Sequence, residues 1–101
     1  MSKQYTSFTA FYPFYLSQHQ NHICRRLHFS GTLSGLVILL YALYTANYAL
    51  ILLSLVAGYA FAWVGHFFFE KNKPATFSYP LYSYLGDFVM FKDILVGKIK
   101  F

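Results

Sequence analysis

Four histidines are the residues of this 101-residue chain best suited to chemistry. His19, His22 and His28 lie close together, and His66 stands far along the chain, followed four residues later by Glu70. Imidazole suits Zn, Cu, Fe and Ni, and an added carboxylate suits a non-haem Fe(II) site with open coordination positions. The sequence has none of the short motifs of zinc or dinucleotide sites, and no phosphate loop or Ser-His-Asp order. Two interpretations therefore stay open at this point: a metal site, or polar histidines at a membrane surface.

The spacing of His19 and His28 restricts the local structures in which the two residues can meet. On one continuous helix, residues nine apart lie on opposite faces and roughly 13 Å apart along the axis, too far to share a metal. Asn21 offers a turn between them, because Asn is among the best N-cap residues. We therefore predict a helix break near residues 18–21 and a site built from His19, His28 and His66. Glu70 shares a helix face with His66 in this interpretation, as a direct ligand or as the partner of a ligand histidine.

Four other side chains near these histidines have two interpretations each. Cys24 is expected to be a buried or lipid-facing thiol rather than a nucleophile. Arg25 and Arg26 could bind a carboxylate of a ligand, but such a pair more often marks the edge of a span and contacts lipid phosphates. Lys71 allows the same two interpretations.

The composition indicates a single membrane domain, residues 1–101. The chain is 57% hydrophobic, 23% aromatic and only 11% charged, whereas a soluble domain has about 25% charged residues. A chain this short cannot hide 12 Phe and 10 Tyr from water, so lipid must cover much of that surface. A lone Cys excludes a disulfide scaffold. The +5 charge forms no dense basic stripe, so we expect no nucleic-acid partner.

The elements that would position the histidines are two apolar helices. From Leu27 to Phe69 there is no Lys, Arg, Asp or Glu, which is enough chain for two spans of about 20 residues. The polar residues Thr45 to Asn47 predict a break, giving spans 21–44 and 48–69. We predict an all-α integral membrane protein built on an antiparallel two-helix transmembrane hairpin, which brings His28 and His66 to similar depth. Small residues suit close helix contact: Gly31, Ser34, Gly35, Ala57, Gly58 and Ala62.

Charge predicts the orientation. Every Lys and Arg lies outside the short link between the spans, so the positive-inside rule places both termini and the histidines at the cytoplasmic face. Residues 1–20, aromatic and interrupted by Pro13, are expected to form an interfacial segment. Residues 78–101 are expected to form an interfacial or re-entrant helix, with a third span as the alternative.

Three blocks carry a resemblance to a known family: FYPFYLSQHQN (residues 11–21), RRLHFSGT (residues 25–32) and GHFFFEKNKPA (residues 65–75). Together they resemble the small membrane-bound 2-hydroxy fatty acid dioxygenases, whose fungal members act on 2-hydroxypalmitate in the endoplasmic reticulum. The resemblance runs from Phe11 to about Phe91. His19, His28 and His66 fall on the histidine positions of the family, and Glu70 falls on the acid of the last block. Where the family pattern has Pro, this chain has His22, which makes His22 the least expected ligand.

The resemblance implies an Fe(II)-dependent reaction in which O2 removes C1 of a 2-hydroxy fatty acid. The products would be CO2 and the fatty acid one carbon shorter, with no nucleotide cofactor or external reductant. Arg25, Arg26 or Lys71 would guide the substrate carboxylate, and the acyl tail would lie between helices or in lipid. The expected location is the bacterial inner membrane, or the endoplasmic reticulum in a eukaryote. A homodimer would thicken a bundle of only two spans.

Two functions from other classes compete with this interpretation. One is a bis-histidine haem protein that carries electrons, which a Soret band would reveal. The other is a metal-free membrane protein that serves assembly or binds lipid, and it predicts no effect of changing His66.

Overall fold

The computed structural model describes residues 4–101, and these residues are helical, without strands. In chain order the helices are α1 (Phe8–Ser17), α2 (His22–Thr45), α3 (Leu50–Val64) and α4 (Pro80–Leu95). Between α3 and α4, the chain widens into a π-helix (Gly65–Glu70) and then forms a 3₁₀ turn (Ala75–Phe77). The all-helical part of the predicted fold class is therefore confirmed.

The predicted break before α2 is confirmed, and Asn21 makes it. Its side-chain oxygen accepts hydrogen bonds from the backbone N–H groups of Ile23 (2.8 Å) and Cys24 (3.1 Å), satisfying donors that a helix start leaves free. Helix α1 ends at Ser17. His19 therefore lies in the link between the two helices.

Helices α2 and α3 pack against each other in opposite directions. A Cβ atom on Gly35 would lie 3.0 Å from the Ser54 carbonyl, and one on Gly65 would lie 2.9 Å from the sulfur of Cys24. As α2 advances from Cys24 to Gly35, its contact partner moves back along the chain, from Gly65 at the start of the π-helix to Ser54 in α3, as expected of antiparallel helices. The Ser54 hydroxyl also donates to the Gly35 carbonyl at 2.8 Å. Because Gly35 and Gly65 have no side chains, the two backbones approach closely at these points.

Two segments of the described chain are long and apolar enough, by length and composition, to cross a membrane: His22–Thr45 and Leu50–Glu70. Their outward faces expose large apolar side chains, and lipid would cover these far more favourably than water. The exposed side chains include Leu33, Val37, Leu40, Leu43, Leu52, Leu53 and Val56. The orientation of these helices in a membrane stays a prediction.

Helices α1 and α4 form an aromatic layer beside this pair. Phe11 and Tyr15 of α1 are fully buried against Met90 of α4, and Phe29 of α2 stacks on Phe91 of α4 with ring centroids 4.6 Å apart. At 16 residues, α4 is about 24 Å long, shorter than a membrane core of about 30 Å. Its length therefore gives no support to the alternative of a third span.

Pro13 does not interrupt the first segment, contrary to the sequence-based expectation. Helix α1 runs through Pro13, although Pro removes one backbone hydrogen bond in a helix interior. Burial of Phe11 and Tyr15 on either side of Pro13 offsets that loss. Burial of aromatic rings therefore outweighs local propensity here.

Candidate metal centre

Three buried imidazoles meet where the link between α1 and α2, helix α2 and the π-helix come together. His19, His28 and His66 are 1%, 3% and 2% exposed, and one ligand nitrogen from each lies within 4.8 Å of the others. The rings are mutually near-perpendicular, with centroids 4.3 to 4.8 Å apart. Residues from three separate elements therefore form one cluster that could hold a metal ion.

The hydrogen bonds of the three rings determine which nitrogen carries the proton. The Nδ1 atom of His19 lies 2.6 Å from the Tyr15 carbonyl oxygen, and that of His28 lies 3.0 Å from the Cys24 carbonyl oxygen. The Nδ1 atom of His66 lies 2.7 Å from the side-chain oxygen of Asn72. Because these oxygens only accept, each Nδ1 must donate, and each neutral ring keeps its lone pair on Nε2.

The distance between two of these lone-pair atoms is the observation that points to a cation. Nε2 of His19 and Nε2 of His28 are 3.0 Å apart, yet with both Nδ1 atoms protonated neither Nε2 can donate to the other. Burial, and then the neighbouring rings of His28 and His66, hold the pKa of His19 well below its ordinary value. An extra proton on one of these rings is therefore unfavourable, whereas a metal ion can accept both lone pairs. The donor set of three imidazoles fits Fe, Zn, Cu or Ni rather than Mg or Ca.

Asn72 connects His66 to the link that carries His19. Its oxygen accepts from His66, so its amide nitrogen faces Gln18, 3.2 Å from both the backbone and the side-chain oxygen of that residue. Its backbone N–H donates to the His66 carbonyl at 3.1 Å. Sequence reasoning missed Asn72, although it stands in the same block as His66 and bears an acceptor that a metal-bound imidazole commonly uses.

Glu70 is not brought into the imidazole group. Its carboxylate accepts the backbone N–H of Asn21, which lies at the start of α2. The π-helix from Gly65 to Glu70 ends at this residue, and its carboxylate lies beside the start of α2 rather than among the imidazoles. Glu70 is outside the group of three imidazoles that could hold a metal, and its predicted shared face with His66 stays a prediction. Glu70 instead stabilises the turn between His19 and His28.

The expected substrate-binding cations have different surroundings. The Arg25 guanidinium donates twice to the His19 carbonyl, at 3.1 and 3.2 Å, and once to the Lys100 carbonyl at 2.7 Å. Arg26 is exposed and lies over the ring of Phe101, 5.1 Å from its centroid. Lys71 is exposed and adopts a left-handed backbone conformation at the end of the π-helix. Of these three expected cations, Arg26 and Lys71 therefore have side chains available to an approaching anion.

The other two sequence candidates lie outside the imidazole group. His22 is exposed on the first turn of α2. Cys24 is fully buried, with its sulfur 3.6 Å from Nδ1 of His28, the nitrogen that faces away from the cluster centre. Neither residue is among the grouped metal-binding candidates of the described chain.

Comparison with known proteins gave one family. A family model described as 2-hydroxy-palmitic acid dioxygenase Mpo1-like matches residues 5–99. No curated protein and no solved structure matches the chain.

Proposed function

The chain belongs to the Mpo1-like family, and we propose that it is an Fe(II)-dependent dioxygenase that shortens a 2-hydroxy fatty acid by one carbon. The observation that carries this proposal is the pair of Nε2 lone pairs 3.0 Å apart in a buried cluster of three imidazoles. The family name supplies the substrate class, and the imidazole donor set is compatible with iron. His19, His28 and His66 are the proposed iron ligands, with Glu70 acting through Asn21 rather than on the metal.

The reaction balances without an external reductant. The C1–C2 bond of the 2-hydroxy acid breaks, C1 leaves as CO2, and C2 becomes the carboxyl carbon of the shorter acid. Four electrons leave the substrate, and one O2 accepts them, yielding water and the oxygen atom added at C2. When bound, Fe(II) supplies the redox and Lewis-acid chemistry that lets O2 react with this substrate.

The protein's own residues orient the ligands and exclude water. The three Nδ1 hydrogen bonds hold each ring in one tautomer and direct its Nε2 atom into the cluster. Burial of all three rings limits access of bulk water, which protects a reactive centre from side reactions. We propose that the exposed cations Arg26 and Lys71 attract the substrate carboxylate, while Arg25 holds the His19 backbone.

The proposed setting is a membrane face. The two apolar segments leave lipid-compatible side chains outward, so an acyl tail could remain in lipid while its polar head meets the cluster. The cytoplasmic position of this face, inferred from the cation distribution, is part of the proposal.

A haem between two of these histidines is disfavoured by the same geometry. Two axial imidazoles must bind opposite faces of a macrocycle, whereas the Nε2 atoms of His19 and His28 are only 3.0 Å apart. The third ring lies within 4.8 Å of both by centroid distance. The cluster has no room for a porphyrin plane between any two of its rings.

The test uses detergent-purified protein prepared without a metal-affinity tag and loaded anaerobically with Fe(II). With 2-hydroxypalmitate labelled at C1, we expect oxygen uptake, labelled CO2 and pentadecanoic acid in equal amounts. His66→Ala should abolish turnover and lower bound iron, whereas the matched control His22→Ala should keep both within about twofold. Full iron content and turnover in His66→Ala would overturn the proposal.

A further inference from the structure

Tyr15 contacts His19 in two ways and reaches α4 with its hydroxyl. Its carbonyl oxygen accepts from Nδ1 of His19, and its ring stacks on the imidazole with centroids 4.1 Å apart and planes 27° apart. Its hydroxyl donates to a carboxylate oxygen of Asp87 on α4. Tyr15 therefore contacts both α4 and the imidazole of His19, and links the two.

Helix α4 is shaped to receive this ring. A Cβ atom on Gly86 would lie 2.9 Å from two ring atoms of Tyr15, closer than a real side chain tolerates. The missing side chain at Gly86 lets the ring lie against the α4 backbone, and the next residue, Asp87, accepts its hydroxyl. Two consecutive residues of α4 thus fix both the depth and the rotation of Tyr15.

A second tyrosine of α1, Tyr12, also bonds to an aspartate of α4. It provides a control that distinguishes positioning of His19 from packing of the two helices. The Tyr12 hydroxyl donates to the carboxylate of Asp93 at 2.8 Å, which also joins α1 to α4. The Tyr12 ring stacks with Phe8 and Tyr15, whereas the Tyr15 ring stacks on His19. The two tyrosine–aspartate pairs are alike in chemistry but differ in what the tyrosine ring touches.

We propose that Tyr15 and Asp87 are positioning residues that hold the His19 imidazole in the orientation its metal requires. This inference rests on the proposed function, because it presupposes that His19 binds a metal. Asp87 fixes the Tyr15 hydroxyl, the fixed ring restricts tilting of the imidazole stacked on it, and the Tyr15 carbonyl fixes the tautomer. Outer partners of ligand histidines commonly contribute about 10–100-fold to metal affinity.

The experiment measures Co(II) affinity and the visible Co(II) spectrum of the full chain in detergent. Tyr15→Phe keeps the stacked ring and the carbonyl but removes the hydroxyl, and we expect at least tenfold weaker Co(II) binding with altered visible bands. Asp87→Asn keeps an acceptor oxygen for Tyr15 and should stay within about threefold of wild type. Tyr12→Phe, the matched control, removes the equivalent hydrogen bond to Asp93 and should leave both readouts within about twofold of wild type.

A further variant covers the case in which Tyr15→Phe does not fold. Gly86→Ala keeps the hydroxyl and the carboxylate but displaces the ring, so it should weaken Co(II) binding and alter the spectrum as well. Equal losses in Tyr12→Phe and Tyr15→Phe would show that both pairs merely join helices, and would overturn the inference. Unchanged affinity and spectrum in Tyr15→Phe would do the same while leaving the metal centre intact. A wild-type chain that binds neither Co(II) nor Fe(II) would overturn the metal centre and this role together.

Discussion

His66 donates its Nδ1 proton to the side-chain oxygen of Asn72 at 2.7 Å, and Asn72 in turn faces Gln18. The bond spans six residues, across the end of the π-helix and the left-handed turn at Lys71. It links the segment that carries His66 to the segment that carries His19. The geometry of the cluster therefore depends on a residue that is not itself a ligand candidate.

The first prediction concerns Asn72. Asn72→Leu removes the acceptor for His66 and the donor to Gln18, so we expect Fe(II) affinity to fall about 10–100-fold, as for other outer partners of ligand histidines. Asn72→Asp keeps an acceptor for His66 and should lose much less. Anaerobic Fe(II) titration of the purified variants measures this, and equal affinity in Asn72→Leu and wild type would contradict it.

The second prediction separates Arg25 from Arg26. Arg25 makes three hydrogen bonds to backbone carbonyls, and a hydrogen bond to a charged group contributes about 1.5–3 kcal/mol. We expect Arg25→Ala to lower the free energy of unfolding by about 1–3 kcal/mol and to weaken metal binding. Arg26→Ala should leave both nearly unchanged and raise KM instead. A raised KM with unchanged metal affinity in Arg25→Ala would mean that Arg25 guides substrate.

The third prediction asks whether Glu70 is a ligand. Its carboxylate accepts the backbone N–H of Asn21, so Glu70→Gln keeps an acceptor and should hold Fe(II) affinity within about threefold. Glu70→Ala leaves that N–H unpaired and should cost about 1 kcal/mol of stability, a typical value for a lost cap. Anaerobic Fe(II) titration, with thermal unfolding of the same samples, measures both. A loss of tenfold or more in Glu70→Gln would mean that the carboxylate binds the metal.

These residues also show which parts of the site can be predicted from the sequence. Helical periodicity shows that His19 and His28 cannot meet on one helix, and the N-cap preference of Asn21 gives the position of the break; both are local properties. Glu70 contacts Asn21, 49 residues away, and Asn72 contacts Gln18, 54 residues away. These contacts depend on how the segments pack, which no local sequence pattern gives. In a capping box, the acid that accepts the N-cap N–H lies three residues after the cap. In this chain the acid that accepts the backbone N–H of the N-cap residue Asn21 is Glu70, which belongs to the π-helix. A search for a capping box would therefore not find it.

The fourth prediction compares two glycines of the α2–α3 contact. A Cβ atom on Gly35 would lie 3.0 Å from the Ser54 carbonyl, whereas one on Gly58 would meet nothing nearer than 3.8 Å. We expect Gly35→Ala to lower the free energy of unfolding by about 1–3 kcal/mol, as overpacking does. Gly58→Ala should raise it by up to about 1 kcal/mol, because Ala is the better helix former. Denaturant titration in micelles tests the pair, and equal effects would contradict the close packing at Gly35.

The last prediction concerns pH. Burial raises the pKa of Asp87 from 3.8 to about 7, while the hydrogen bond from Tyr15 opposes that rise. Asp87 lines a cavity of about 30 Å³ that Tyr59 and Tyr84 also line. The phenol of Tyr15 and the thiol of Cys24 are the other titratable groups that interact with it. Between pH 4 and 7 the folded chain then keeps a proton on Asp87 that the unfolded chain releases.

The sign of the effect follows from that proton. Because the folded state binds more protons in this window, the Asp87 contribution to the free energy of unfolding is full below about pH 4 and falls as pH rises to about 7. Because other groups of the chain also change their protonation with pH, the measured quantity is the difference between wild type and Asp87→Asn in denaturant titrations at each pH. We expect wild type to lose stability relative to Asp87→Asn as pH rises from 4 to 7, with no further change above about pH 8. A flat difference curve would mean that Asp87 titrates in the folded chain as it does in the unfolded chain.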